Sequence, residues 1–258
     1  MEPAKILSLV DCETERTPAE LVQWVGEKNE LFKSTKEGRA YLAERQGLAR
    51  CFIDKMYPLS LLVTHLFNHR IDVVCKPNVN DDDCDAVIVD YRKRPLRVRS
   101  IVFTRAILSY EAYLRRLYLP DEEHAFLFSR FAQRDRRDHK SKSADDGETL
   151  LHVILLNKAL ELIANAAKAK ANRPYGKLAT LVIAFDDYGT FRSREDLSLL
   201  EDFVITEVLP MNLHFGKLYL LGWSGSTIIE FSVVDHSKLR RSKRKHRTTT
   251  ASQSQDSV

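Results

Sequence analysis

Three short runs rich in β-branched and aromatic residues follow a helical N-terminal segment. They cover residues 70–75, 84–91 and 96–107, and the turn at 92–95 separates the second run from the third. Runs of this kind that are bounded by turn residues predict strands, and consecutive strands joined by tight turns pair antiparallel. The pattern therefore predicts an antiparallel β-meander.

Helical periodicity dominates the chain on both sides of this meander. Thr17, Pro18 and Glu20 combine a capping hydroxyl, a proline at the first helical position and an acid three residues after the cap. This opening predicts a helix to about residue 34. Apolar residues at helical spacing between residues 38 and 67 bring the prediction to two or three helices before the sheet.

The second half of the chain alternates between helical and strand patterns. A long helix is predicted over residues 149–171, and it leads into residues 178–185, which are almost continuously apolar. Such a run is typical of a strand covered on both faces, so we predict that this strand is central. A further helix is predicted over about residues 193–209 and a hairpin over residues 218–234. Residues 110–143 predict a helix, a short strand and a charged loop.

Together these elements predict an α/β fold with a single domain. The predicted sheet is mixed, begins with the antiparallel meander and is flanked by helices on both faces. We divide the chain into an N-terminal helical lead-in (residues 1–37), an α/β core (residues 38–236) and a basic tail (residues 237–258). The tail has almost nothing to bury, so we expect it to be disordered.

The basic residues are concentrated in two stretches. Seven lysines and arginines and no acid lie between residues 238 and 247, and without them the formal net charge of +4 becomes −3. Such a run favours sequence-independent contact with phosphates, and the alternative is a solubilising or targeting segment. A second basic stretch covers residues 130–142. From both we predict these nucleic-acid-binding residues: Arg134, Arg136, Arg137, Lys140, Arg240, Arg241, Lys243, Arg244 and Lys245.

Several common kinds of site have no support in the sequence. The four cysteines lie far apart without a C-x-x-C pair, which favours reduced thiols in a cytoplasmic protein. The sequence contains neither a glycine-rich phosphate loop nor a His-x-Glu signature. Its most apolar run is interrupted by charged and polar residues, so we expect no membrane partner.

Asp85 is the strongest single candidate for a functional or metal-binding residue. It lies at the start of an apolar strand, where an isolated charge is costly unless it has a partner. Antiparallel pairing about the turn places it roughly opposite Val102, and residues 100–104 offer no second carboxylate. The alternative is a structural salt bridge with an arginine such as Arg99 or Arg105.

The element order resembles that of the PD-(D/E)XK restriction-endonuclease-like nuclease superfamily. The resemblance covers about residues 39–185: a helical lead-in, a meander with an aspartate heading its second strand, then a long helix and a buried strand. It implies that Asp85 would bind magnesium and that Glu44 would match an additional helical acid. The glutamate-x-lysine expected on the next strand is not present, because Val102 and Thr104 occupy the nearest positions.

In some members of this superfamily the second acid or the lysine migrates to a neighbouring helix. Lys158 and Glu161 are available for this on the long helix, as are Glu111 and Lys168. The alternative for Lys158 and Glu161 is a pair with each other, because residues three apart share a helix face. Asp186 and Asp187 follow the buried strand, either at the usual ligand edge of an α/β sheet or in an ordinary loop.

The function that we predict is nucleic-acid binding by a protein of nuclease-like fold whose catalytic centre is degraded or displaced. One rival is a magnesium-dependent DNA endonuclease that uses Asp85, Glu44 and a helical acid such as Glu161. Magnesium is expected only for this active form. The second rival is a protein-interaction module in which the sheet serves only as a scaffold.

Overall fold

The computed structural model describes residues 5–45, 47–80, 83–106, 144–187, 190–191 and 193–233, and only the backbone of residues 144–151. The predicted elements over residues 110–143, Glu111, the basic residues of both stretches and the tail lie outside the described residues. The helices are α1 (Leu9–Glu13), α2 (Pro18–Lys33), α3 (Lys36–Ala43), α4 (Leu48–Cys51), α5 (Tyr57–Phe67), α6 (Ala144–Lys170) and α7 (Arg194–Phe203). Two π-helical turns, Phe52–Met56 and Val204–Val208, follow α4 and α7.

In the described part of the chain, the strands form one six-stranded mixed sheet whose spatial order follows the chain. They are β1 (Val73–Pro77), β2 (Ala86–Asp90), β3 (Arg97–Ala106), β4 (Ala179–Phe185), β5 (Lys217–Gly222) and β6 (Ile228–Ser232). The first three pair antiparallel, β3, β4 and β5 pair parallel, and β6 pairs antiparallel with β5. The predicted fold class, meander and final hairpin are confirmed.

The central strand β4 is buried along its whole length, as its apolar run predicts. Val182 and Ala184 belong to a core between the sheet and α1–α5, whereas Leu181 and Ile183 belong to a second core against α6 and α7. Each large aliphatic side chain buried in this way stabilises the fold by about 1.5–3 kcal/mol. The sheet therefore has helices on both faces.

The N-terminal helices are more numerous than the two or three predicted. Thr17 caps α2 as expected, because its side chain accepts a hydrogen bond from the Glu20 N–H while the Glu20 carboxylate accepts one from the Thr17 N–H. Two features account for the difference. The five-residue α1 was not predicted, and the positive backbone φ of Arg45 and Gly47 separates α3 from α4. No helix in the described part of the chain is both long and apolar enough to cross a membrane.

Strand β3 is longer than its partner β2, and this positions the site. The paired residues of β2 reach only to Ile101, whereas β4 pairs with β3 as far as Ala106. The C-terminal half of β3 thus extends beyond the β2 ladder. Asp85 lies just before β2, at the end of the β2–β3 ladder.

Candidate functional site

A cleft of about 1060 Å³ opens where β3 extends beyond β2. Four parts of the chain line it: the segment from α4 into the first π-helical turn, the connection between β1 and β2, the C-terminal half of β3, and the end of α6 with the residues after it. Its charged side chains are five cations and three acids: Arg50, Lys55, Arg105, Lys170, Arg173, Asp54, Asp83 and Asp85.

The π-helical turn brings two adjacent charged residues, Asp54 and Lys55, into this cleft. A π-helical turn adds a residue to the helical repeat, and turns of this kind occur frequently at functional sites. Phe52 and Met56 of the same turn are buried in the core. The apolar members of the turn therefore anchor it, while its two charged members line the cleft.

Asp85 is held on both sides of its carboxylate. Its Oδ2 accepts a hydrogen bond from the Phe103 backbone N–H at 2.7 Å, and its Oδ1 lies 3.1 Å from Lys55 Nζ. The Asp85 N–H donates to the Ile101 carbonyl, so Asp85 lies across from Val102 as predicted. The hydrogen bond that this carboxylate accepts from the Phe103 N–H therefore extends the β2–β3 ladder.

The predicted arginine partners of Asp85 were wrong, because the partner is Lys55. Arg105 lies 2.8 Å from an Asp54 carboxylate oxygen instead. The Arg99 guanidinium lies over the Phe67 ring, 5.7 Å from its centroid, and burial lowers the pKa of Arg99. A salt bridge at Asp85 was foreseen, but it comes from the N-terminal helical layer and not from β3.

Asp54 is surrounded by guanidinium groups. It pairs with Arg45, with Arg105 and, more distantly, with Arg50 at 3.7 Å. Burial raises the pKa of Asp54, while the guanidiniums of Arg105 and Arg45 act in the opposite direction. Both half-buried carboxylates of the cleft, Asp54 and Asp85, are thus paired with cations of the same chain.

The other predicted catalytic residues do not line this cleft. Glu44 caps the C-terminus of α3 and does not line the cleft. Lys158 Nζ lies 2.7 Å from Glu161 Oε2 on the solvent side of α6, so these two residues pair with each other. The structure therefore does not bring Glu44, Lys158 or Glu161 to Asp85.

Two acids that follow the central strand were also candidates for a ligand edge. The Asp187 carboxylate accepts hydrogen bonds from the Ser224 N–H, at 2.9 Å, and from the Ser224 hydroxyl. This contact fixes the turn between β5 and β6. In the described structure, Asp187 therefore stabilises this turn.

Cys51 is a cleft-lining thiol that the sequence did not single out. It is 8% exposed, and burial is the largest cause that raises its pKa to about 11. Nearby charges have smaller effects on this pKa. A thiol with a raised pKa is a poor nucleophile at neutral pH. Burial and the raised pKa of Cys51 therefore favour a packing role over a nucleophilic one.

Three cationic side chains that line the cleft are at least partly exposed to solvent. The Arg50 side chain is 73% exposed, Arg173 is exposed and Lys170 is half-buried at the end of α6. Unlike Lys55 and Arg105, they are not committed to a buried carboxylate at hydrogen-bonding distance. The rim can therefore attract an anion.

The described residues contain no group of three or more histidines, cysteines, aspartates and glutamates arranged to hold a metal ion. Asp54 and Asp85 line the same cleft, yet each already has a cationic partner. Magnesium binding generally requires one or two available carboxylates together with phosphate oxygens and water. The carboxylates in this cleft do not fit that requirement as they are arranged.

The sequence offered one overlooked signal for this site. Asp54 and Lys55 are consecutive charges between the buried residues Phe52, Ile53 and Met56. Charges inside an otherwise apolar run are costly unless they find partners, so the pair marked a site in the same way as Asp85.

Comparisons of the chain with protein-family models, with curated proteins and with solved structures returned no match.

Proposed function

We propose that this chain binds nucleic acid along the rim of the cleft and that its nuclease-like catalytic centre is degraded. The observation that carries the proposal is the charge arrangement of the cleft. Its half-buried acids Asp54 and Asp85 each pair with cations of the chain. Arg50 and Arg173 are exposed and Lys170 is half-buried, and the described lining holds five cations against three acids. The cleft therefore presents a net positive surface to a ligand.

Phosphate groups are the kind of ligand that exposed arginine and lysine side chains bind. Arginine binds phosphate through paired N–H groups and lysine binds it as a point charge. Several such contacts along a backbone release counterions and give an affinity that falls steeply with salt. The two basic stretches at residues 130–142 and 238–247 add cations to the same chain, and we include them in the proposed interface.

The order of elements supports the nuclease-like part of the proposal. A meander leads through α6 to a parallel, buried β4, and an aspartate precedes β2 at the mouth of the cleft. On the neighbouring strand, Val102, Phe103 and Thr104 line the cleft where a second acid and a lysine would be needed. The strands that line the cleft therefore carry only part of the set of residues that catalysis would need.

A cytoplasmic location is part of this proposal. Three of the four free cysteines are buried and the fourth, Cys84, is half-buried. Unpaired thiols are ordinary in a reducing compartment and unusual outside it.

The test of nucleic-acid binding is fluorescence anisotropy with labelled duplex DNA, single-stranded DNA and RNA over a range of salt concentrations. The double variant Lys170→Ala/Arg173→Ala should weaken binding and reduce the slope of log affinity against log salt by about two. The matched control is Lys36→Ala/Lys177→Ala, which removes the same charge from exposed residues that do not line the cleft. It should leave the slope unchanged.

Two results would overturn the proposal. Lack of binding to all three polymers at low salt would favour a protein-interaction module. Nicking of supercoiled plasmid in Mg²⁺ or Mn²⁺ that disappears in Asp85→Ala would instead establish an active endonuclease. Nicking that persists in Asp85→Ala would show that Asp85 is not its source.

A further inference from the structure

The ammonium group of Lys55 lies among three oxygen atoms. Lys55 Nζ is 2.8 Å from the Asn78 carbonyl oxygen, 3.3 Å from the Val79 carbonyl oxygen and 3.1 Å from Asp85 Oδ1. The Lys55 side chain is only 17% exposed. Because an ammonium has three N–H donors and no acceptor, this set of oxygens matches its hydrogen-bonding capacity.

The three oxygens are also the kind that hard divalent cations prefer. Calcium sites are built from carboxylates and backbone carbonyls, and manganese sites likewise use oxygen ligands. Here one carboxylate and two consecutive carbonyls converge on one position. The chain itself supplies the cation that occupies it.

The loop that carries the two carbonyls is fixed independently of Lys55. The Asn78 N–H donates to the Asp85 carbonyl at 2.9 Å, and the Asn78 side chain contacts Cys84 Sγ at 3.1 Å. Asp85 is fixed in turn by the Phe103 N–H. The oxygens are therefore expected to remain near their positions when the ammonium is removed.

We propose that Lys55 is a built-in cation that fills a divalent-cation site formed by Asp85 and the carbonyls of Asn78 and Val79. A divalent ion and an ammonium cannot share this position, since like charges at contact distance repel strongly at low dielectric. Lys55 thus excludes metal from the cleft, and truncating it opens the site. This inference concerns the metal alone and holds whether or not the chain binds nucleic acid.

The experiment measures Mn²⁺ binding by the loss of the free-ion EPR signal. The full-length wild-type protein should show no binding that depends on Asp85. Lys55→Ala and Lys55→Met should both bind Mn²⁺ at least ten times more tightly than the wild type, and adding Asp85→Asn should abolish the gain. Lys55→Met keeps most of the aliphatic stem, so it provides a second variant if the alanine variant does not fold.

Lys28 supplies a matched control. Its ammonium also contacts a backbone carbonyl, that of Ile6 at 2.8 Å, and a carboxylate, that of Asp11 at 3.1 Å, and its side chain is 20% exposed. Asp11 keeps Arg16 as a second partner, so Lys28→Ala should gain no Mn²⁺ binding.

Two outcomes would overturn the inference. The first is Asp85-dependent Mn²⁺ binding by the wild-type protein with the affinity of the Lys55 variants. The second is that neither folded Lys55 variant gains binding. Anisotropy with nucleic acid, measured on the same variants without metal, reports separately on the proposed function.

Discussion

The Asp85 carboxylate accepts a hydrogen bond from the Phe103 backbone N–H at 2.7 Å, beyond the last backbone pair of β2 and β3. Its other oxygen pairs with Lys55, which is itself largely buried. Removing the carboxylate leaves a strand N–H and an ammonium without this partner. Asp85→Ala should therefore lower the free energy of unfolding by about 1–3 kcal/mol, as measured by urea denaturation.

Two further variants sharpen this prediction. Asp85→Asn keeps an acceptor for the Phe103 N–H, so it should cost less than Asp85→Ala. Asp83→Ala removes an exposed acid that lines the same cleft, and its effect should stay within about 0.5 kcal/mol. Equal losses for Asp83→Ala and Asp85→Ala would show that the two Asp85 contacts do not contribute to stability.

The Asp187 side chain fills the space that a Cβ at Gly222 would need. A Cβ at Gly222 would overlap the Asp187 carboxylate, which is held there by Ser224. Forcing an atom into such a packed position typically costs about 1–3 kcal/mol. Gly222→Ala should therefore lower the thermal unfolding midpoint, as followed by circular dichroism.

The matching control is Gly26, an exposed glycine inside α2. A Cβ there would meet no atom within 4 Å, and the helix favours alanine over glycine. Gly26→Ala should stabilise the protein by about 0.5–1 kcal/mol. If both substitutions shifted the midpoint in the same direction, the steric account of Gly222 would be wrong.

Asp90 makes the stability of the protein sensitive to acid. Hydrogen bonds from the Arg92 side chain, at 2.7 Å to each carboxylate oxygen, lower the pKa of Asp90 from 3.8 to about 2. A depressed folded-state pKa contributes stability that is present above the unfolded-state pKa. This contribution should be lost as the pH falls from about 4 through about 2.

The check compares the wild type with Asp90→Asn by urea denaturation across that pH range. The variant should be less stable near neutral pH, and the gap should close as Asp90 becomes protonated in the wild type. Arg94→Ala changes an exposed residue of the same turn and keeps Asp90. The stability of this control should depend on pH as that of the wild type does. A gap that stays constant down to about pH 2 would contradict the linkage.

The fold was predictable because its strongest patterns are physical requirements. An uninterrupted apolar run such as residues 178–185 can be buried only between two layers, and β4 is covered on both faces. The meander followed from runs of β-branched and aromatic residues bounded by turn residues, with boundaries shifted by one to three residues. The number of N-terminal helices was missed because α1 is only five residues long and because two residues with positive φ, Arg45 and Gly47, interrupt the helical pattern between residues 38 and 67.

The candidate site was only half predictable. Asp85 was found because a charge at the mouth of an apolar strand demands a partner, and it does line the cleft. Its partner, Lys55, lies on a helix far earlier in the chain, where no pairing rule links it to β2. The π-helical turn that presents Asp54 and Lys55 departs from the helical period, so counting positions along a regular helix does not assign their faces.

The basic tail gives the last prediction, which rests on sequence and on the proposed function. The seven cations between residues 238 and 247 can neutralise several phosphates, each contributing about 0.9 to the salt slope on duplex DNA. Replacing all seven with glutamine should therefore reduce the slope more than the cleft variant Lys170→Ala/Arg173→Ala does. Deleting only residues 248–258, which contain no lysine or arginine, is the control and should change little. Anisotropy at several salt concentrations measures both, and an unchanged slope in the glutamine variant would remove the tail from the proposed interface.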